Sequence, residues 1–205
     1  MPMTPSGFTA RLLRANGLDP DVFRAWVFFP GMRYGSSAKW WGDLGLRDFP
    51  HEGVDFALFR RRSGELHRLG PETLVPALFG GRVRALFRDY LGQAVVVEHA
   101  GRDGEKGLAV YAHTRPREGL APGVCVEAGE VIAAIADTAH SKARILPHLH
   151  LSLARPAPGI IYENFVWNRM RDPAQVTLRD PAGHIGGPWE VADPRSLPSM
   201  GGAHV

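Results

Sequence analysis

From His148 to Leu153 the chain reads His-Leu-His-Leu-Ser-Leu, polar and apolar residues in strict alternation behind Pro147. This is the period-two pattern of a β-strand with one buried face. It puts His148, His150 and Ser152 on one side and Leu149, Leu151 and Leu153 on the other. Two imidazoles two positions apart on one strand face can reach the same metal ion, or divide metal binding and proton transfer between them. On a helix the same spacing would splay the rings apart. Pro147 suits a strand start, where its missing N–H costs least. Taken alone, the pair also fits two half-exposed histidines on a sheet surface, and that blander reading outweighs the first until other residues join them.

A second segment, His51-Glu52-Gly53-Val54-Asp55, admits two readings. One is a helical His-Glu-x-x-His zinc motif with Asp in place of the second His. Gly53 and the β-branched Val54 argue against a helix, and the segment follows a loop rich in Gly and Pro. The other reading is extended. His51 and Asp55, an even number of residues apart, then share a face, and both are ordinary zinc ligands. We prefer the second, in which Glu52 points away and is not the general base. A fifth candidate, His113, closes the strand-like run Leu108–His113 just where Pro116 and Gly119 break the pattern, and strand ends beside loops are where reactive groups are presented. His99 reads as structural. His67, His140, His184 and His204 lie in polar contexts and receive no role.

The elements that must position these residues are mostly strands. Val75–Phe79, Arg82–Phe87, Gln93–His99, Leu108–His113, Val124–Val126 and Val131–Ile135 follow one another at nearly regular spacing, separated by turn residues. This predicts a mainly β protein, an antiparallel sandwich or barrel-like domain, with a short helical extension at the N-terminus. In that extension Phe8, Leu12 and Leu13 share a helix side, Asn16-Gly17 stops it, and Asp19-Pro20-Asp21 begins a second short helix carrying Val22, Phe23 and Trp26. Residues 29–50 read as a long loop with aromatic walls. Residues 57–74 read as a solvated basic hairpin, Ile160–Met170 as a strand or short helix, and the chain from Gly183 as a loosely packed tail. The expected division is 1–45 extension, 46–160 β domain and 161–205 C-terminal extension and tail.

With 44% hydrophobic and 22% charged residues among 205, the chain can bury a core and is not disordered overall. Its 24 Gly and 17 Pro favour many turns over a helix bundle. A net charge of +3 favours anionic partners without choosing among them. The single cysteine, Cys125, excludes an intrachain disulfide and reads as an inert core thiol. No signal peptide is visible and no stretch approaches a transmembrane helix in length, which by sequence alone suggests a cytoplasmic protein.

Taken in order, His51-Glu52-Gly53-Val54-Asp55, Val75-Pro76-Ala77 with Gly81-Arg82-Val83, Gly92–His99, Tyr111-Ala112-His113 and Pro147-His148-Leu149-His150 resemble the lysostaphin/LytM-type zinc metalloendopeptidases of bacterial cell-wall metabolism. Each motif alone is weak, and the ordered set is specific. The resemblance implies zinc (Zn2+) held by His51, Asp55 and His150, with His148 and His113 as the catalytic pair, His148 as base and His113 as oxyanion stabiliser. Tyr34 is a further oxyanion-donor candidate by its loop position alone. The resemblance also implies peptidoglycan peptides as substrate, no nucleic-acid partner, and action in the periplasm or outside the cell, against the missing export signal. The chain departs from the family between Asp55 and Val75, where it is longer, and at Thr138–Leu146, where the family has a Gly/Ser/Thr-rich turn. Three rivals are a non-catalytic wall- or partner-binding regulator on the same fold, a zinc peptidase or amidase of another substrate, and a small β-domain resembling lipoyl or sugar-phosphotransfer carriers, against which stand the lack of a lipoyl motif around Lys106 and the presence of the His51/Asp55 arm.

Overall fold

The computed structural model describes residues 7–101, 104–138, 141 and 145–196. The first helix, α1 (Gly7–Ala15), buries Phe8, Leu12 and Leu13 on one side as their spacing predicts. Asn16 ends it by donating from Nδ2 to the Leu12 carbonyl, and Gly17 follows with φ +63°. Asp19 then caps only a single 3-10 turn, Pro20–Val22. The expected second helix is absent. Phe23 and Trp26 lie instead in β1 (Phe23–Phe28), whose aromatic and β-branched side chains suit a pleated surface, and which has strand partners on both sides.

Twelve further strands follow: β2 (Val54–Phe56), β3 (Leu58–Arg61), β4 (Leu66–Arg68), β5 (Leu74–Pro76), β6 (Gly81–Arg88), β7 (Gln93–Ala100), β8 (Lys106–Pro116), β9 (Cys125–Val126), β10 (Val131–Ile135), β11 (Leu149–Pro156), β12 (Val176–Arg179) and β13 (Trp189–Val191). Two short helices, α2 (Trp167–Met170) and α3 (Ala182–Ile185), lie among the last of them. A four-stranded sheet has the order β13-β1-β3-β4. A nine-stranded sheet runs β12-β11-β8-β7-β6-β9, with β2 beside β11, β10 beside β8 and β5 on β10. The protein is mainly β, as expected, and does not close into a barrel. All pairings among these strands are antiparallel except that of β1 with β13.

Alternation along β7 and β8 gives the large sheet two buried faces. Val95, Val97, Ala109 and Tyr111 join one cluster with Leu149, Leu151 and Leu153 of β11, Phe56 of β2 and the side chains of α1 and β1. Ala94, Val96, Leu108, Val110 and Ala112 join a second, covered by Phe165, Met170 and Val176 from the C-terminal segment. That second face would be wet without residues 160–178, so they are packed structure. Residues 183–196, read as the start of a loose tail, form α3 and β13, with Trp189 beside Trp26 of β1. The remainder of that tail, His204 included, lies outside the described residues, as do Arg102, Asp103, His140 and most of the Thr138–Leu146 departure. The basic hairpin forms from β3 and β4, but it is solvated only in part, because Leu58 and Phe59 are core residues. Cys125 is exposed, not buried: in the short edge strand β9 it faces out while Val126 faces the core.

One side chain ties the two chain ends to the small sheet. Thr9 Oγ1 accepts from Trp26 Nε1 at 2.7 Å and donates to the Ile185 carbonyl at 2.7 Å, with all three residues buried. Thr9→Val keeps the shape but leaves two buried polar groups unpaired, and we expect it to lower unfolding free energy by about 2 kcal/mol in urea titration. An unchanged midpoint would remove this link from the account of the fold.

Candidate metal centre

The register of β2 on β11 puts Asp55 directly opposite His150, and directly opposed residues share a sheet face. His51 must then be folded back over the same face. Gly53 allows it: a Cβ there would lie 2.3 Å from the Leu151 carbonyl oxygen and 2.8 Å from Ser152 Oγ. Only glycine lets the chain pass so close to β11. The aromatic loop fastens the other side of His51, whose N–H donates to the Ser36 carbonyl while its carbonyl accepts from the Gly35 N–H, each at 2.9 Å. The segment is extended as preferred from sequence, and the helical zinc-motif reading is excluded.

Three atoms from this arrangement form a nearly equilateral triangle. His51 Nε2 is 3.1 Å from Asp55 Oδ1 and 3.0 Å from His150 Nδ1, and His150 Nδ1 is 2.9 Å from Asp55 Oδ1. All three residues are buried. Their other polar atoms are already engaged. His51 Nδ1 lies 3.1 Å from the Arg33 carbonyl, which can only accept, so the proton sits on Nδ1 and Nε2 of the neutral ring carries a lone pair. His150 Nε2 lies 2.7 Å from the hydroxyl of buried Ser152, and donation there frees Nδ1. Asp55 Oδ2 accepts from Trp40 Nε1 at 2.7 Å and lies 3.7 Å from Arg47 Nη2. Two lone pairs and one carboxylate oxygen thus converge on a point with their outer atoms fixed by hydrogen bonds. That donor set fits a borderline divalent cation such as zinc, and the supporting bonds are of the kind that orient metal ligands.

His148 and His113 lie beside the triangle. His148 Nδ1 donates to the Leu146 carbonyl at 2.7 Å, which leaves Nε2 as the unprotonated nitrogen, 3.9 Å from Asp55 Oδ1. Burial pushes this imidazole down to about 3, against the pull of the Asp55 carboxylate, so the ring is neutral at ordinary pH. The His113 ring is 4.8 Å from that of His148 and 5.8 Å from that of His150, centre to centre. Sequence placed His113 at a strand end. It lies inside β8, three residues before Pro116, at a residue with φ +60°. Its side chain is presented by an irregularity within the strand and not by a loop.

The cleft over these rings has a volume of about 390 Å³. Trp41 and Phe49 from the aromatic loop, exposed Tyr90 from the β6–β7 turn and Trp167 of α2 form its walls. Trp167 meets the His150 ring edge to face at 5.3 Å, and Trp40 meets His148 at 5.0 Å. Glu52, expected from the extended reading to point away, lines the cleft as well. Its Oε1 accepts from Arg171 Nε at 2.5 Å, and no hydrogen bond joins it to the triangle. Tyr34 packs against the core and is not among the residues lining the cleft. The sequence reading brought all five of His51, Asp55, His113, His148 and His150 to one place. It missed Asp89, which touches His113, and the pairing of Trp40 with Asp55; the neighbouring Trp40 and Trp41 were the available signal for the latter.

Solved structures with similar folds include Helicobacter pylori Csd3 (24% identity, TM-score 0.40, covering 65% of this chain and 32% of that one). Others are lysostaphin in solution (22%, TM-score 0.41, 65% and 47%) and a mutant catalytic domain of the prophage-encoded M23 protein EnpA from Enterococcus faecalis (20%, TM-score 0.40, 69% and 96%). This chain therefore spans from a third to a half of the length of the first two. Comparison with curated proteins found no match. The family model described as peptidase family M23 matches residues 50–158, which is more than half of the chain and includes the whole triangle with His113 and His148, and the chain belongs to that family.

Proposed function

We propose that the protein is a zinc-dependent endopeptidase that hydrolyses peptide cross-links of bacterial peptidoglycan. The observation that carries the reading is the triangle of His51 Nε2, Asp55 Oδ1 and His150 Nδ1, three lone-pair atoms turned on one point in a peptidase-family chain. These residues are the proposed metal ligands. Residues 46–160 are the proposed catalytic unit, with 1–45 and 161–205 as extensions that lend Trp40, Trp41, Trp167 and Arg171 to the site. Zinc held there supplies Lewis acidity, which acidifies water and polarises a carbonyl.

The chain's own groups supply the rest. His148 Nε2 is the nitrogen free to take a proton, because Nδ1 is committed to the Leu146 carbonyl. His113, whose ring lies edge to face against it at 4.8 Å, stabilises negative charge on the carbonyl oxygen or returns a proton to the leaving amine. Trp40 and Arg47 hold Asp55, and Ser152 holds His150, so that neither turns toward substrate. The aromatic walls exclude water from the site and offer flat faces to an extended peptide. Membership of peptidase family M23, with the resemblance of the ordered motif set to the lysostaphin/LytM-type enzymes, supports a wall peptide as the substrate.

Metal analysis of the purified chain is expected to find close to one zinc per molecule, with digestion of cross-linked muropeptides. His150→Ala should lose both. Absence of near-stoichiometric zinc in the unaltered protein defeats the central reading, while zinc without wall cleavage favours a regulator or another substrate. His148→Ala should keep its zinc and lose activity by about 100-fold or more, the usual size of a general-base effect. Loss of zinc in that variant would mean that the two histidines of the strand have their roles exchanged.

A further inference from the structure

His113 reaches the cleft by a backbone irregularity. Between the pairs Val95–Tyr111 and Gln93–Thr114, β8 carries two residues, Ala112 and His113, against the single Ala94 of β7. This is a β-bulge, and His113 within it has φ +60°, where a side chain other than glycine's is strained. Ala112 lies opposite His150 in β11 and so shares its face. The next residue of a regular strand would point to the other face. His113 instead meets the rings of His148 and His150, so the bulge is what turns the third imidazole to the same side.

Something must hold a strained residue in place. Asp89, at the turn between β6 and β7, has a fully shielded side chain. Its Oδ2 accepts from the backbone N–H of His113 at 2.8 Å. Its Oδ1 accepts from the N–H groups of Leu91 and Gly92 at 2.9 and 2.7 Å, and lies 3.2 Å from His113 Nδ1 without the alignment of a hydrogen bond. We propose that Asp89 is a positioning residue for His113: one buried carboxylate holds the bulge that aims the ring, and its place beside Nδ1 keeps the proton there and leaves Nε2 for the substrate. The carboxylate is ionised at any working pH. Burial raises its pKa, but the contacts with His113 and the amide donors bring it down to about 2. The same carboxylate closes the turn that carries Tyr90 and Leu91 at the cleft wall, so a merely structural role is the alternative to exclude.

The activity half of this inference rests on the function proposed above, and the ring half does not. For the zinc-loaded full chain, kcat and KM for a soluble cross-linked muropeptide are measured in Asp89→Ala, Asp89→Asn, His113→Ala and the two double variants. Asp89→Ala is expected to lower kcat at least about tenfold with KM within about twofold, and to cause no further loss when His113 is already alanine. Ring 15N and 13C shifts of His113 should report the Nδ1-protonated tautomer in the unaltered protein and a mixture in Asp89→Asn. Losses that multiply in the double variants, or His113 ring signals unchanged in Asp89→Asn, overturn the proposal. If Asp89→Ala does not fold, the near-isosteric Asp89→Asn carries both halves. If the unaltered protein cleaves no muropeptide, the proposed function fails and the ring signals alone decide the role of Asp89.

Discussion

The structure turns on an electrostatic conflict. Two imidazole lone pairs and a carboxylate oxygen are held within about 3 Å of one another in a buried place, where water cannot screen them. Left alone, such atoms repel; a divalent cation converts the conflict into cohesion. What forces the atoms together is the sheet. Asp55 and His150 face each other because β2 pairs with β11 in one register, and a one-residue slip would send Asp55 to the opposite face. His51 follows because Gly53 lets the chain lie on β11 without a side chain in the way.

Around that centre, residues from far apart in sequence restrict the freedom of each ring. The aromatic loop supplies the Arg33 carbonyl to His51 and the Trp40 indole to Asp55. β11 itself supplies Ser152 to His150, and the residue two before His148 supplies its carbonyl. The C-terminal segment adds Trp167 against His150 and Arg171 against Glu52 while covering the second face of the large sheet. Packing and site-building are the same act here: the residues that bury the sheet's second face also wall the cleft.

Much of this was legible from sequence. The alternation at His148–Leu153 specified a strand and its faces, and short apolar segments between turn residues specified β6, β7 and β8, because local periodicity and pleat geometry are the same information. Three readings failed for reasons outside their own windows. Phe23 and Trp26 sit at spacing that suits a helix, but strand partners at Phe59 and Trp189 made β1 the better state. Cys125 lies among valines, yet its strand is an edge with one wet side. The Gly/Pro-rich segment after Gly183 reads as tail, but Trp189 and Val191 complete a sheet edge.

The sequence by itself determined which residue types could hold a metal and the faces on which His148, His150 and Ser152 would stand. Motif order then joined His51, Asp55 and His113 to them. Only the tertiary structure decided how those residues meet. Register set Asp55 against His150, a bulge turned His113 to their side, and Asp89 met it there from 24 residues upstream. A bulge is an offset between two strands, and a register is a relation between strands distant in the chain. Neither leaves a trace in the spacing of residues along one strand.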